Sequence, residues 1–213
     1  SHDENSVQFE VATSGPRLQD QWVKNRKARL GLMATITALG QPMIYMGQEF
    51  GVERERNRID LRWIEHPAAG SHYHWARGII NLRRRYPGLR VSGYNPIDAG
   101  DFAWVLAPWM EEGRGGGRRV IGWRTLDAGQ PHERMLVMFN FEPHDVAVDV
   151  DFHTPGCWVK LADLDRVNDI PPAGDNRPGM PDSITTESGW FGHFVLPPYS
   201  GFIYKHEPAP APH

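Results

Sequence analysis

The spacing of apolar residues changes character near Pro87. Before it, the pattern is helical. Residues 1–16 are polar and irregular and close on Gly15-Pro16. The spacing then predicts a helix over about 18–39. Its first half is polar, with Gln19, Asp20, Lys24, Arg26 and Lys27. Its second half is nearly all apolar, through Leu30, Leu32, Met33, Ala34, Ile36, Ala38 and Leu39, and Gly40 and Pro42 stop it. Two turns that are apolar all round must be buried on more than one side. Pro42-Met43-Ile44-Tyr45-Met46 follows without strict alternation, which predicts a strand buried on both faces, of the parallel-sheet kind. Gly47-Gln48-Glu49-Phe50-Gly51 is the turn after it, at the end of a strand where ligands bind in α/β folds. Residues 52–70 read as a charged loop. A second helix is expected over about 71–86, with Ser71 as N-cap. Trp75, Ile79, Leu82 and Tyr86 lie on one face of it, Arg83, Arg84 and Arg85 in its last turn.

After residue 90 the period becomes two. Strands are expected over 102–107, 118–124, 134–141, 145–152, 156–162, 191–196 and 199–204. The stretch 145–152 alternates most clearly: Val146, Val148, Val150 and Phe152 face one way, Asp145, Asp149 and Asp151 the other. Short strands separated by Gly/Pro turns predict an antiparallel β-sandwich. The order is thus helix, strand, helix, then all-β. One parallel strand makes no sheet, so residues 1–88 read as the last piece of a (β/α)8 barrel whose front is missing. Residues 89–206 read as the sandwich and 207–213 as a disordered tail. A strand with open edges and a helix with bare apolar surface would pair with the missing N-terminal barrel half or with a second copy.

Composition narrows the function classes. The chain has 213 residues, 40% of them hydrophobic, and carries a net charge of −3. No stretch approaches 18 apolar residues, so no membrane helix is expected. The charge offers no field for nucleic acid. Cys157 is the one cysteine; it can form no internal disulfide and build no zinc site alone, and it is expected to be a small buried hydrophobe. His72 and His74 stand two apart on a helix and do not share a face, so no metal is expected there. Gly113-Arg-Gly-Gly-Gly117 lacks the Lys-Ser/Thr of a phosphate loop and reads as a flexible hairpin tip. Trp63, Trp75, Trp104, Trp109, Trp123, Trp158 and Trp190 could stack on sugars or serve core packing; packing is the expectation for any one of them. The opening Ser1-His2-Asp3-Glu4 has neither Met nor a signal-peptide pattern and reads as the middle of a longer protein, so a missing targeting segment says nothing of location; the single cysteine fits a reducing compartment, and a cytoplasmic location is the expectation.

Four segments in order carry a resemblance: SHDE at 1–4, QPMIYMGQEFG at 41–51, RMLVMFNFE at 134–142 and LPPYSGFIYK at 196–205. Together the set resembles the α-amylase family of glycoside hydrolases, family 13. SHDE looks like the end of that family's seventh barrel strand, MGQEFG like the eighth strand and its turn. The last two segments look like strands of its C-terminal β-sandwich. SHDE and GQEFG lean toward the glucan branching enzymes within it. The resemblance implies a retaining mechanism on α-glucans or maltooligosaccharides, with a nucleophile and a general acid/base flanking the bond, and no cofactor or metal. It makes Asp3 the third catalytic carboxylate, which holds sugar hydroxyls and helps distort the ring, and His2 a substrate contact beside it. Glu49 could face the substrate as well; the other reading is that Glu49 and Gln48 satisfy backbone groups of their own turn. The nucleophile and the acid would lie upstream of residue 1, so this chain alone is expected to be inactive. The alternative is a non-catalytic glucan-binding or structural β-sandwich accessory domain.

Overall fold

In the computed structural model the described residues are 5–13, 20–45, 47–53, 69–91, 102–126, 133–167, 180–187 and 191–207. Three helices come first: α1 (Val7–Thr13), α2 (Gln21–Thr37) and α3 (Ala69–Arg85). Eight strands follow: β1 (Phe102–Leu106), β2 (Val120–Thr125), β3 (Met135–Asn140), β4 (Val146–Asp151), β5 (Gly156–Asp163), β6 (Ser183–Thr186), β7 (Phe191–Leu196) and β8 (Ser200–Glu207). Six of them form one sheet in the order β1-β2-β3-β8-β5-β6, and β4 pairs with β7 in a second. Every pairing between these strands is antiparallel.

Alternation along β3 explains how the layers stack. Met135, Val137 and Phe139 pack with α2 and α3 through Leu30, Met33, Ile36, Ile79 and Leu82. Leu136 and Met138, on the other face, pack with Val146, Val148 and Val150 of β4 and Leu196 of β7. All six β3 residues are therefore buried. The large sheet is the middle layer, with helices on one face and the β4–β7 sheet on the other. Asn140 fastens the two sheets at one end. Its side-chain nitrogen donates to the carbonyls of His144, Leu196 and Pro197 at 3.0, 2.9 and 2.8 Å, and its oxygen accepts from the Glu142 amide at 2.8 Å. A buried side-chain amide with both ends satisfied fixes one arrangement of the strands around it.

The period-two reading after residue 90 agrees with the strands in kind and nearly in extent. Five expectations are corrected. The chain forms α1 where irregular structure was expected, and Ser71 lies inside α3 rather than capping it. The buried strand expected over Pro42–Met46 is not formed in its described part. Residues 41–45 join no sheet and Met43 is 68% exposed. A parallel strand is held by neighbours on both sides, and none of the described strands lies beside it. The apolar half of α2, expected to be bare, is covered by the chain's own sheet and α3: Leu30, Leu32, Met33 and Ile36 are buried. That removes half of the argument for self-association, since Leu39 and Met43 are the large apolar side chains described in this region that stay exposed. Cys157 is half-buried, opposite Thr185 and Glu207 in the sheet, and not a core residue.

Candidate functional site

Asp20 starts the local structure that leads to the turn at 47–51. Its carboxylate accepts from the amides of Trp22 and Val23 at 3.0 and 3.2 Å, capping α2. At the other end of α2, Arg83 of α3 collects the exiting chain. Its guanidinium donates to the carbonyls of Ile36, Ala38, Leu89 and Gly40 at 2.7, 3.0, 2.6 and 2.5 Å. Helix ends leave unsatisfied carbonyls, and a planar fork of donors can serve several at once. Residues 41–45 run from this clamp to the turn. A groove of about 550 Å³, lined by Ile36, Pro42, Ile44, Ile80 and Arg84, lies along them.

The turn itself is tightly tied. Gly47 and Gly51 bracket a 3-10 turn at φ +97° and +65°, values that glycine adopts without strain. Gln48 Oε1 accepts from the Tyr45 amide at 2.8 Å and Glu49 Oε2 from the Gly47 amide at 2.9 Å. Both side chains thus serve the turn, as one of the two readings of Glu49 had it, and a contact from Glu49 to substrate is untouched by this geometry. Phe50 stacks on Tyr73 of α3 with ring centres 4.9 Å apart. Lys24 of α2 pairs with Glu53 at 3.0 Å.

His72 lies under the turn and is 5% exposed. Burial, and secondly the Arg29 charge, push its pKa down to about 4, against a hydrogen bond to the Gln48 backbone. The imidazole is therefore neutral near pH 7, and its Nε2 has no hydrogen-bond partner among the described residues. Between α1, α2 and the turn is a cavity of about 130 Å³, lined by Ser6, Gln8, Gly31, Gln48 and Gly51.

Of the residues expected to form a site, Glu49 is placed in this turn, while His2 and Asp3 lie outside the described residues. The tryptophans divide. Trp75, Trp123 and Trp158 are core residues, Trp104 is half-buried, and Trp109 is 66% exposed; Trp63 and Trp190 lie outside the described residues. Trp22, half exposed on the first turn of α2, escaped the sequence reasoning, although its polar neighbours signal an outward face. The roles of Arg83 and His72 are not legible in the sequence either, because a helix-end arginine and a histidine on a helix carry no pattern that points to a tertiary partner. Among the described residues no cluster of His, Cys, Asp or Glu could hold a metal ion, and no helix is long and apolar enough to cross a membrane.

No protein-family model matches the chain. Among curated proteins it is 28% identical over 171 residues to the 1,4-alpha-glucan branching enzyme of Rhodopseudomonas palustris strain BisB5, covering 78% of this chain and 22% of that protein. The corresponding enzyme of strain HaA2 is 26% identical over 215 residues, covering 97% and 28%. The chain thus spans about a quarter of the length of the curated relatives it matches. In fold it is similar to the Group B Streptococcus pullulanase SAP, with a TM-score of 0.68 at 17% identity over 97% of this chain and 31% of that one. It is also similar to a pullulanase from Bacillus acidopullulyticus, with a TM-score of 0.64 at 16% identity over 96% and 23%.

Proposed function

We propose that this chain, a relative of the 1,4-α-glucan branching enzymes and of α-amylase-family pullulanases, is the C-terminal portion of an enzyme that cleaves and transfers α-glucan chains. In this reading residues 1–88 complete the catalytic barrel and residues 89–206 form the sandwich behind it. The observation that supports it best is the state of residues 41–45. They match the family's eighth strand, yet join none of the described sheets between the Arg83 clamp and the Gly47–Gly51 turn, with residues 41–43 exposed. That is the condition of a strand whose neighbours belong to another part of the protein. The groove beside Pro42 and Ile44 is where the remainder of the barrel would seat.

The chemistry of such an enzyme needs two carboxylates about 5 Å apart, one as nucleophile and one as acid and then base. In this reading the remainder of the barrel supplies them. Asp3 and His2 hold hydroxyls of the sugar at the cleavage point, and Glu49 stands at the edge of the same site. The Gly47–Gly51 turn is held by its own side-chain hydrogen bonds, which lowers the ordering cost of binding a glucan there.

The test is a chimera that joins this chain to the N-terminal part of the Rhodopseudomonas palustris branching enzyme. Expected is branching of amylose, read as loss of iodine colour, with kcat lowered by orders of magnitude in Asp3→Ala at unchanged folding. Unchanged kcat in that variant would remove Asp3 from the site. The isolated chain should turn over no amylose or amylopectin.

A further inference from the structure

The loop joining β1 to β2, expected to be a flexible tip, is folded tightly. Backbone amides of Ala107, Gly116 and Gly117 donate to the carbonyls of Arg114, Glu111 and Pro108 at 3.0, 2.9 and 2.9 Å. A Cβ on Gly116 would collide with the Met110 carbonyl, so the loop closes on itself where only glycine fits. Its residues touch opposite faces of the sandwich. Trp109 meets Trp104 nearly at right angles with ring centres 5.5 Å apart, and Trp104 packs with the helix-side core. Gly113 instead abuts the Asp149 carboxylate, on the face of β4 turned away from the large sheet. The loop therefore passes from one face of the sandwich to the other beside β1 and β4.

What it passes over is an edge. β1 ends the large sheet, with β2 as its one strand neighbour among the described residues. The register with β2 breaks between Trp104 and Leu106, and Val105 has no partner there. Such a bulge leaves its extra residue out of the ladder. Arg114 takes up the backbone left over. Its Nε donates to the Val105 carbonyl at 3.2 Å and its Nη2 to that of Trp104 at 3.4 Å. Strand carbonyls point sideways from the strand, and β2 fills one side of β1, so the guanidinium stands on the open side.

β1 is the kind of strand that needs covering. Residues 102–107 read Phe-Ala-Trp-Val-Leu-Ala, with no charge and no proline. Unpaired backbone on such a strand is a template for another strand. The same strand in a second copy fits it, because antiparallel pairing about a two-fold axis sets two equal edges against each other. A bulge, a cationic side chain and a covering loop are three separate ways of blunting an edge, and all three meet on β1. We propose that residues 107–117 are a strap that keeps β1 from pairing with β1 of a second copy, and that Arg114 holds the strap shut. Opening the strap turns this edge into a dimer interface. The strap belongs to the sandwich alone and is independent of the proposed function.

The experiment is sedimentation velocity of the 213-residue chain over a range of micromolar concentrations, with hydrogen exchange read at each. Arg114→Ala should associate about tenfold or more tightly than the wild type, the scale of a lost hydrogen bond to a charged group. Arg114→Lys should fall between the two, since an ammonium lacks the planar fork. The amides of Phe102–Leu106 should gain protection as the dimer forms. A second variant replaces residues 108–117 by Asn-Gly, which leaves a short hairpin connection without the strap, and should associate at least as tightly as Arg114→Ala. Adding Ala103→Lys to either variant puts a charge in the edge strand and should return it to wild-type sedimentation. Association through unfolded chain would not respond in this way. Sedimentation of both strap variants equal to that of the wild type overturns the proposal. So does association that Ala103→Lys leaves unchanged, or protection gained outside β1.

Discussion

A Cβ on Gly51 would stand 2.9 Å from Nδ1 of His72. Gly51 also holds φ +65°, in the left-handed region. Both features exclude a side chain, one by contact and one by backbone strain. Gly51→Ala should lower the unfolding free energy by about 1–3 kcal/mol, read by urea denaturation. An unchanged midpoint would mean that the turn yields without cost.

His72 gives the chain a pH signature. Its folded pKa, pushed down to about 4, lies below the ordinary histidine value of 6.5. Below about pH 6.5 the unfolded chain takes up a proton there that the folded chain refuses until about pH 4. Stability should be fully present above pH 6.5 and should fall as the pH drops toward 4, by about 3 kcal/mol in all. Replacing His72 by Gln should remove this part of the pH dependence. Denaturation midpoints measured in steps from pH 7 to pH 4 check it; parallel curves for the two proteins would contradict it.

Arg83 serves four carbonyls that lysine cannot serve together, because an ammonium is a point charge without the planar fork. Arg83→Lys should cost about 1.5–3 kcal/mol, the scale of hydrogen bonds to a charged group. Hydrogen exchange should speed up first at the end of α2. Exchange there at the wild-type rate would show that the clamp is dispensable.

Two tryptophans of the β layers should behave oppositely. Trp158 is fully buried against Phe152, with ring centres 5.5 Å apart. Trp158→Ala should cost about 3–5 kcal/mol. Trp109→Ala, at the surface, should leave stability within about 0.5 kcal/mol. Thermal midpoints of the two variants decide this.

The β half of the fold was legible because alternation maps directly onto two faces: Val146, Val148 and Val150 are buried as read, with Asp149 and Asp151 half-buried on the other face. The α3 face of Trp75, Ile79 and Leu82 was legible for the same reason at helical spacing. The short β6 was not, because four residues inside a Gly/Pro-rich stretch carry too little period to detect. The run at 42–46 has the composition of a buried strand, but composition states only what a segment prefers to bury against, and no described strand lies beside it. The rigidity of the 113–117 loop was hidden for a related reason. Glycines mark both floppy and crowded places, and only the approach of Met110 and Val120 tells which. Of the candidate site, Glu49 and its turn could be placed from the motif, whereas His72 and Arg83 act through tertiary neighbours with no fixed spacing.

The position of β8 governs when this molecule can fold. Its residues, 200–207, come last among the strands, yet they lie in the centre of the large sheet between β3 and β5. β1, β2 and β3 can form a meander as soon as they exist. β3 then waits about sixty residues for its second partner, and β5 about forty. Until β8 inserts, both carry open edges, and the helices lack Ile203 from their floor. Long-range pairing of this kind makes folding slow. On the ribosome the sheet cannot close before residue 207 has cleared the exit tunnel, so holding the two edges apart during that interval is the step at which a nascent chain is most exposed to aggregation.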